Sequence, residues 1–337
     1  MRVSFIDKLK GLAIIFVVMG HVTEYGLGVK SSPFNLFYHS FHMPLFMFLS
    51  GLFAYKSFRS WNLQEALVFL RKKALRVLLP FVVVGGGYVL LILKNSVAEV
   101  VDYVRLCGVY WFFPALFYCM FTGLLMGILS FKLGSNKSQG VKVIIDFIMC
   151  CLVVSSIYML DRVCGLRNII PYFGDYTAMF PFFYMGVLCS RHKLVKSVVF
   201  QSELMYTFAV ILYLCAMLWL GGDRKFSGCF AIIILLQLFI KHEKSIPSIL
   251  SSLGAYSLEI YAFHWFILPV LPSFSQELIV LPQAAGISNS NLILLFVMSF
   301  LFAVPIIGIC IIVTICIRKS RYLNMFVFGS KSEKIKY

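Results

Sequence analysis

Residues 291–317 read NLILLFVMSFLFAVPIIGICIIVTICI and contain no charged side chain. A helix needs about 20 consecutive apolar residues to cross the hydrocarbon core of a bilayer, so this stretch is long enough to span one. The rest of the 337-residue chain agrees, because 61% of its residues are hydrophobic, 13% are charged and the mean hydropathy is +0.91. This composition excludes soluble, fibrous and disordered proteins and predicts a polytopic membrane protein.

Apolar runs separated by polar residues divide the chain into ten predicted membrane-spanning helices. We expect these helices near residues 9–27, 34–55, 75–93, 107–131, 142–160, 169–190, 203–220, 226–240, 247–271 and 291–317. Pro44, Pro171 and Pro181 are expected to mark helix breaks. Because no stretch remains for a separate soluble domain, we predict one all-α transmembrane helix bundle over residues 1–337.

Thirty Lys and Arg residues against 14 Asp and Glu give a formal net charge of +16. In a soluble protein this excess of positive charge would suggest a nucleic-acid partner. In a membrane protein it indicates which loops face the cytoplasm, so we expect no nucleic-acid partner. With the N-terminus in the cytoplasm, 23 Lys and Arg residues fall on cytoplasmic segments and 7 on outer loops. We therefore expect both termini in the cytoplasm, an interfacial helix over residues 56–76 and an outer loop over residues 272–290.

The first predicted helix carries a stripe of polar residues. Lys10 and His21 are eleven residues apart, about three turns, so both point from the same face. Asp7 and Glu24 extend the stripe by one turn at either end. A rise of about 1.5 Å per residue puts His21 roughly 16 Å deeper than Lys10, near the middle of the bilayer.

A carboxylate one turn from an imidazole can orient the ring and stabilise its protonated form, as a general base requires. The stripe therefore favours His21 as a base oriented by Glu24. Two plainer interpretations stay open, in which His21 hydrogen-bonds to a neighbouring helix and Lys10 is a positive-inside anchor.

Several phrases of the sequence resemble the acyltransferase-3 family in order along nearly the whole chain, especially its fucose O-acetyltransferase-like branch. They are FIDKLKGLA at residues 5–13 with VMGH at 18–21, FHMPLFMFLSG at 41–51, YWFFPALF at 110–117, FFYMG at 182–186 and LGAYSLEIYAFH at 253–264. The resemblance implies a bacterial inner-membrane enzyme that moves an acyl group, usually acetyl, from cytosolic acyl-CoA to a hydroxyl of a sugar or lipid-linked envelope glycan. It leaves the oligomeric state open.

The resemblance also implies roles for cationic residues. Lys10 stands where the family commonly has Arg and would bind donor phosphate or stabilise charge on the thioester, with Asp7 positioning it. Lys73 and Arg76 stand at the family's R-x-x-R motif and would bind the phosphates of CoA, although without the resemblance they would be assigned to lipid headgroups. Lys keeps the positive charge but lacks the bidentate fork of Arg.

Two further groups could contact substrate. His39 and His42 have a spacing that could hold a metal, but no acidic or Cys ligand accompanies them, so we expect no metal, with His42 as a substrate contact. Ser257, Tyr261 and His264 share one helix face and could bind a sugar, the alternative being interhelical polar packing.

A secondary transporter is the rival functional class, because intramembrane ionisable residues at broken helices also mark solute pathways. Such a protein often has two related halves, and the sequence shows no internal repeat. A purely structural membrane protein would leave His21 and Glu24 without a purpose.

Overall fold

The computed structural model describes residues 4–29, 32–57, 63–93, 108–134, 136–219, 224–270 and 292–329. Within these ranges it contains fourteen α-helices and no β-strand, which confirms the all-α class. The helices are α1 (Ser4–His21), α2 (Pro33–Ser57), α3 (Leu63–Leu91), α4 (Phe112–Gly134), α5 (Gln139–Cys164), α6 (Leu166–Ile169), α7 (Phe173–Arg191), α8 (Lys193–Gln201), α9 (Glu203–Trp219), α10 (Arg224–Lys241), α11 (Ile249–Ala255), α12 (Ser257–Ile267), α13 (Leu292–Lys319) and α14 (Arg321–Phe328).

Five of the described helices, α2, α3, α4, α5 and α13, are each long and apolar enough to cross a membrane. The count becomes six if α8 and α9, which meet at a bend, form one span. Each of the ten predicted segments overlaps one or more of the described helices. The chain is thus a multi-pass membrane protein built as a helix bundle.

One predicted helix boundary and two predicted helix breaks differ from the structure. Helix α3 already begins at Leu63, so the part of the expected interfacial segment from 63 onward is continuous with the predicted third span. Pro44 and Pro181 lie inside α2 and α7, so the prediction of breaks there is wrong, whereas Pro171 lies in the turn before α7. Proline is tolerated inside membrane helices because neighbouring groups satisfy the freed carbonyl.

The described residues group into two compact units. The first is drawn from residues 1–45, 91–93 and 203–320, and the second from residues 46–90, 94–202 and 321–337. The expectation of a single domain over residues 1–337 stays a prediction.

Helix α1 is the centre of the first unit and packs closely against α11. A Cβ on Gly11 would lie 2.0 Å from the Leu250 carbonyl oxygen, and one on Gly254 would lie 1.8 Å from that of Asp7. Only glycine permits such an approach of two backbones, as is common between membrane helices. The contact fixes α1, and therefore its polar stripe, against the segment that leads into α12.

The second unit has an aromatic core in which α7 packs against α2 and α4. The side chains of Phe182, Phe183 and Tyr184 are each at most 2% exposed. A Cβ on Gly51 would lie 1.8 Å from the carbonyl oxygen of Phe183, so glycine again sets the helix separation.

Candidate active site

One irregular turn of backbone shapes the site in the first unit. After His21 the chain makes a single π-helical turn, Val22–Gly26. The buried hydroxyl of Thr23 anchors this turn by donating to the Met19 carbonyl oxygen at 2.8 Å and lying 2.7 Å from the Ser299 hydroxyl. A π turn takes about one residue more than an α turn, so it rotates Glu24 away from the face that carries His21.

Glu24 forms a polar group with two residues of α2. Its Oε1 atom lies 2.5 Å from Nε2 of His39 and 3.2 Å from the hydroxyl of Tyr38. The same hydroxyl lies 3.2 Å from the Gly20 carbonyl oxygen. Glu24 therefore orients His39 and not His21, which corrects the expected Glu24–His21 contact.

His21 instead lies among aromatic rings of α12. Its ring is stacked on that of His264, with centroids 5.2 Å apart and planes 19° apart, and its centroid is 4.5 Å from that of Trp265. The Nδ1 atom of His21 is buried and has no hydrogen-bond partner among the described residues. The described residues therefore leave one hydrogen-bonding position of this imidazole unfilled.

Backbone carbonyls set the tautomers of two other histidines. Nδ1 of His264 lies 3.0 Å from the Ile260 carbonyl oxygen, and Nδ1 of His42 contacts that of Tyr38. A carbonyl oxygen only accepts hydrogen bonds, so each Nδ1 carries the hydrogen and, in a neutral ring, the lone pair lies on Nε2. Within the described part of the chain, Nε2 of His264 is buried without a partner.

Four of the chain's six histidines thus form one cluster in the first unit, which we call the histidine cluster: His21, His39, His42 and His264. The His39 and His42 rings are 5.3 Å apart, and the His21 and His264 rings are 5.2 Å apart. Over the described ranges, no three His, Cys, Asp or Glu side chains converge in a way that could hold a metal ion. Imidazole and carboxylate groups can transfer protons, and imidazole can also attack acyl groups.

A comparison with protein-family models identifies the chain. The model described as "Acyltransferase domain", of the acyltransferase-3 family, matches residues 3–317. The chain belongs to the acyltransferase-3 family. No curated protein and no solved structure matches it. The match confirms the resemblance at the level of the family and leaves its fucose O-acetyltransferase-like branch a prediction.

The cationic end of α1 in this acyltransferase is dominated by a residue that the sequence did not single out. Buried Lys8 donates from Nζ to the carbonyl oxygens of Glu243 and Ile246, at 2.5 and 2.8 Å. Asp7 is buried, and Lys10 is half-buried on the same helix as His21. Because α1 is unbroken between them, Lys10 lies about 16 Å from His21 along the helix axis.

The remaining predicted substrate contact is Tyr261, which lies on α12 together with His264. Its ring is buried and lies 5.8 Å from that of His264. The structure therefore places His21, His42, His264 and Tyr261 in the first unit.

The predicted donor residues lie in the second unit, on the first half of α3. The Lys73 ammonium lies 5.4 Å from the centre of the Phe69 ring, and the Arg76 side chain is exposed. They are one turn apart on the same face of a single helix, a geometry that suits two phosphate contacts.

Sequence reasoning missed two parts of this acyltransferase. His39 had no predicted role beyond a metal spacing with His42, although its position three residues before His42 is also a signal for a shared site. Glu259 was not singled out by the sequence, yet it forms a part-buried ion pair with Arg318, whose guanidinium lies 5.0 Å from the Tyr256 ring centre. No local signal in the sequence joins residues so distant.

The second unit holds its own carboxylate–histidine pair. Asp146 is fully buried and binds Nε2 of His192 at 2.5 Å and Nη1 of Arg191 at 3.1 Å, and it also accepts from the Ser130 hydroxyl. The other ring nitrogen of His192 lies 3.4 Å from Nε2 of Gln139. Both nitrogens of His192 are therefore occupied, which is typical of a structural network.

Proposed function

We propose that this acyltransferase moves an acyl group, acetyl in the first instance, from cytosolic acyl-CoA to a hydroxyl of a cell-envelope sugar or lipid-linked glycan. The open Nδ1 of His21, buried beside the stacked ring of His264, is the observation that carries the proposal. A thioester is already activated, so the reaction needs a group that accepts the hydroxyl proton or the acyl group itself.

His21 is the central reactive group in this proposal. It removes the proton of the acceptor hydroxyl as the oxygen attacks the thioester, or it first takes the acyl group on its own ring nitrogen. Both routes require a neutral imidazole with an unoccupied nitrogen at the acyl carbon.

The acyl donor, acetyl-CoA, would bind through cationic side chains. Lys73 and Arg76 would contact its phosphates by charge-assisted hydrogen bonds. Lys10, positioned by Asp7, would bind a further phosphate or stabilise negative charge on the thioester oxygen.

The acceptor would bind at the histidine cluster. His42, Tyr261 and His264 would donate and accept hydrogen bonds with sugar hydroxyls, and the aromatic rings beside them would pack on the apolar face of a pyranose. We place the enzyme in the bacterial inner membrane with both termini in the cytoplasm, so that the donor enters from one side and the glycan from the other.

Mass spectrometry of envelope glycans from cells with and without the protein tests this function. We expect acyl groups on a glycan hydroxyl to depend on the protein and to disappear in His21→Ala. His242→Gln is the matched control, because His242 is exposed and outside the histidine cluster. Wild-type acylation by a well-expressed His21→Ala protein would falsify the assignment of His21.

A further inference from the structure

The Glu24–His39 pair is a carboxylate-oriented imidazole that the proposed function does not use. A carboxylate accepts hydrogen bonds, so Nε2 of His39 carries the hydrogen that points at Glu24. In a neutral ring the lone pair then lies on Nδ1, and no side chain or backbone group of the described residues binds that atom. The His39 side chain is 33% exposed and that of Glu24 is 19% exposed, so the pair is open to a bound molecule.

The second carboxylate–histidine pair of the chain shows what a closed pair looks like. His192 has the same 2.5 Å contact with a carboxylate, but its other nitrogen faces Gln139 and its side chain is 1% exposed. His192 has no atom left for a substrate, whereas His39 has one. The difference indicates that the Glu24–His39 pair is built for more than packing.

The surroundings of His21 differ from those of His39. Aromatic and imidazole rings flank it, and no carboxylate among the described residues contacts it. A base is usually held by an orienting acceptor, which His39 has and His21 lacks.

We propose that the two histidines divide the reaction: His21 carries the acyl group, and His39, oriented by Glu24, is the base for the acceptor hydroxyl. This inference rests on the proposed function and decides between its two routes for His21. It makes His39 a further catalytic residue.

The first step moves the acyl group onto His21. The lone pair of one ring nitrogen attacks the thioester carbonyl carbon, a nitrogen–carbon bond forms and the carbon–sulfur bond breaks. The sulfur leaves with the electron pair and takes the proton from the other ring nitrogen. The products are a neutral acyl-imidazole at His21 and the free thiol of CoA.

The second step moves the acyl group to the acceptor. Nδ1 of His39 takes the hydroxyl proton while the oxygen attacks the acyl carbon, an oxygen–carbon bond forms and the carbon–nitrogen bond breaks. The His21 ring leaves with the electron pair and receives the proton that His39 took. Both imidazoles return to their neutral forms, and the product is the ester.

This division has a consequence for a membrane enzyme. CoA has left before the acceptor reacts, so the cytosolic donor and the glycan need never be bound together. Donor exchange then becomes a half-reaction that requires His21 but neither His39 nor the acceptor.

The test incubates the purified full-length protein in lipid nanodiscs with acetyl-CoA and isotopically labelled CoA, without any glycan. We expect label to enter acetyl-CoA with the wild type and peptide mass spectrometry to find one acetyl group on His21. His21→Ala should lose the exchange. His39→Gln and Glu24→Gln should keep it within a few-fold, which also shows that both variants fold.

The complementary measurement is acetylation of glycan in membranes that carry native envelope glycans. Here His39→Gln and Glu24→Gln should be slower by about 10²-fold or more, the usual loss of a general base. His242→Gln should match the wild type in both assays.

The outcomes separate the inference from the proposed function. Wild-type transfer without CoA exchange would overturn the acyl-His21 step and leave the proposed function standing. Loss of exchange in a folded His39→Gln protein, or normal transfer by it, would overturn the division of roles. If the wild type neither exchanges nor transfers acetyl groups, the proposed function itself fails.

Discussion

A buried histidine in this chain is best understood from which of its ring nitrogens is occupied. His192 has both nitrogens bound and belongs to a structural network. His264 has its Nδ1 bound and its Nε2 open within the described residues, and His21 has an open Nδ1. Among the buried imidazoles of the described residues, the open nitrogens lie in the histidine cluster, and this is why we assign the chemistry there.

Lys73 and Arg76 allow a residue-level test of donor binding. Lys73→Ala and Arg76→Ala should raise the Michaelis constant for acyl-CoA more than that for the acceptor, because a charge-assisted hydrogen bond contributes about 1.5 to 3 kcal/mol. Steady-state kinetics with each substrate varied in turn measure this.

Lys196→Ala is the control for that experiment, since the Lys196 ammonium also lies over a phenylalanine ring, at 5.8 Å from its centre. It should leave both Michaelis constants unchanged. If calorimetry finds acyl-CoA binding equally strong in the wild type and in both α3 variants, the two residues bind lipid headgroups instead.

Asp146 should matter for stability. Asp146→Asn leaves the Arg191 side chain, which is only 9% exposed, without its carboxylate. Breaking a buried charge pair from one side costs about 3 to 5 kcal/mol, so we expect a clearly lower unfolding midpoint in thermal scans in detergent.

Glu203→Gln is the matched change at a surface pair. The side chains of Glu203 and Lys241 are 77% and 67% exposed, and their charged atoms are 3.5 Å apart. Glu203→Gln should therefore lower the free energy of unfolding by about 0 to 1 kcal/mol. Equal midpoints for the two variants would refute the structural role of Asp146.

At the scale of the helices, the apolar periods predicted where helices lie but not how they are interrupted. The predicted segment 247–271 is two helices, α11 and α12, separated at Tyr256. The backbone contact of Gly254 with Asp7 and the ion pair of Glu259 with Arg318 hold the two pieces, and neither contact leaves a periodic signal.

The same limit applies to the candidate site. The spacing from Lys10 to His21 predicted a shared helix face, and α1 is indeed unbroken between them. The partner of Glu24 could not be predicted, because the π turn depends on the contact between Thr23 and Ser299, 276 residues apart in the chain.

The approach of α1 to α11 predicts a large effect of a small change. Gly254→Ala should displace α11, because the added Cβ would lie 1.8 Å from the Asp7 carbonyl oxygen. We expect a lower unfolding midpoint together with slower acyl transfer, since α11 leads into the helix that carries His264.

Gly308→Ala is the control for the steric effect of an added Cβ. A Cβ on Gly308 meets no atom within 4 Å, and alanine is the better helix former by about 0.5 to 1 kcal/mol. This variant should be at least as stable as the wild type. If the Gly254→Ala protein were as stable as the wild type, α1 and α11 would be able to separate without a loss of stability, contrary to this prediction.

At the scale of the whole molecule, the distribution of positive charge predicts which side of the membrane each loop faces. Cationic loops resist translocation, and 23 of the 30 Lys and Arg residues fall on the segments expected in the cytoplasm. The donor proposal depends on this orientation, because cytosolic acyl-CoA must reach Lys73 and Arg76.

Single cysteines at positions 334 and 275, in a cysteine-depleted protein, test the arrangement in intact cells with an impermeant thiol reagent. Position 275 should be labelled and position 334 only after the membrane is permeabilised. Labelling of position 334 in intact cells would place the C-terminus outside and, with an even number of spans, the N-terminus with it, so the donor side would have to be reassigned.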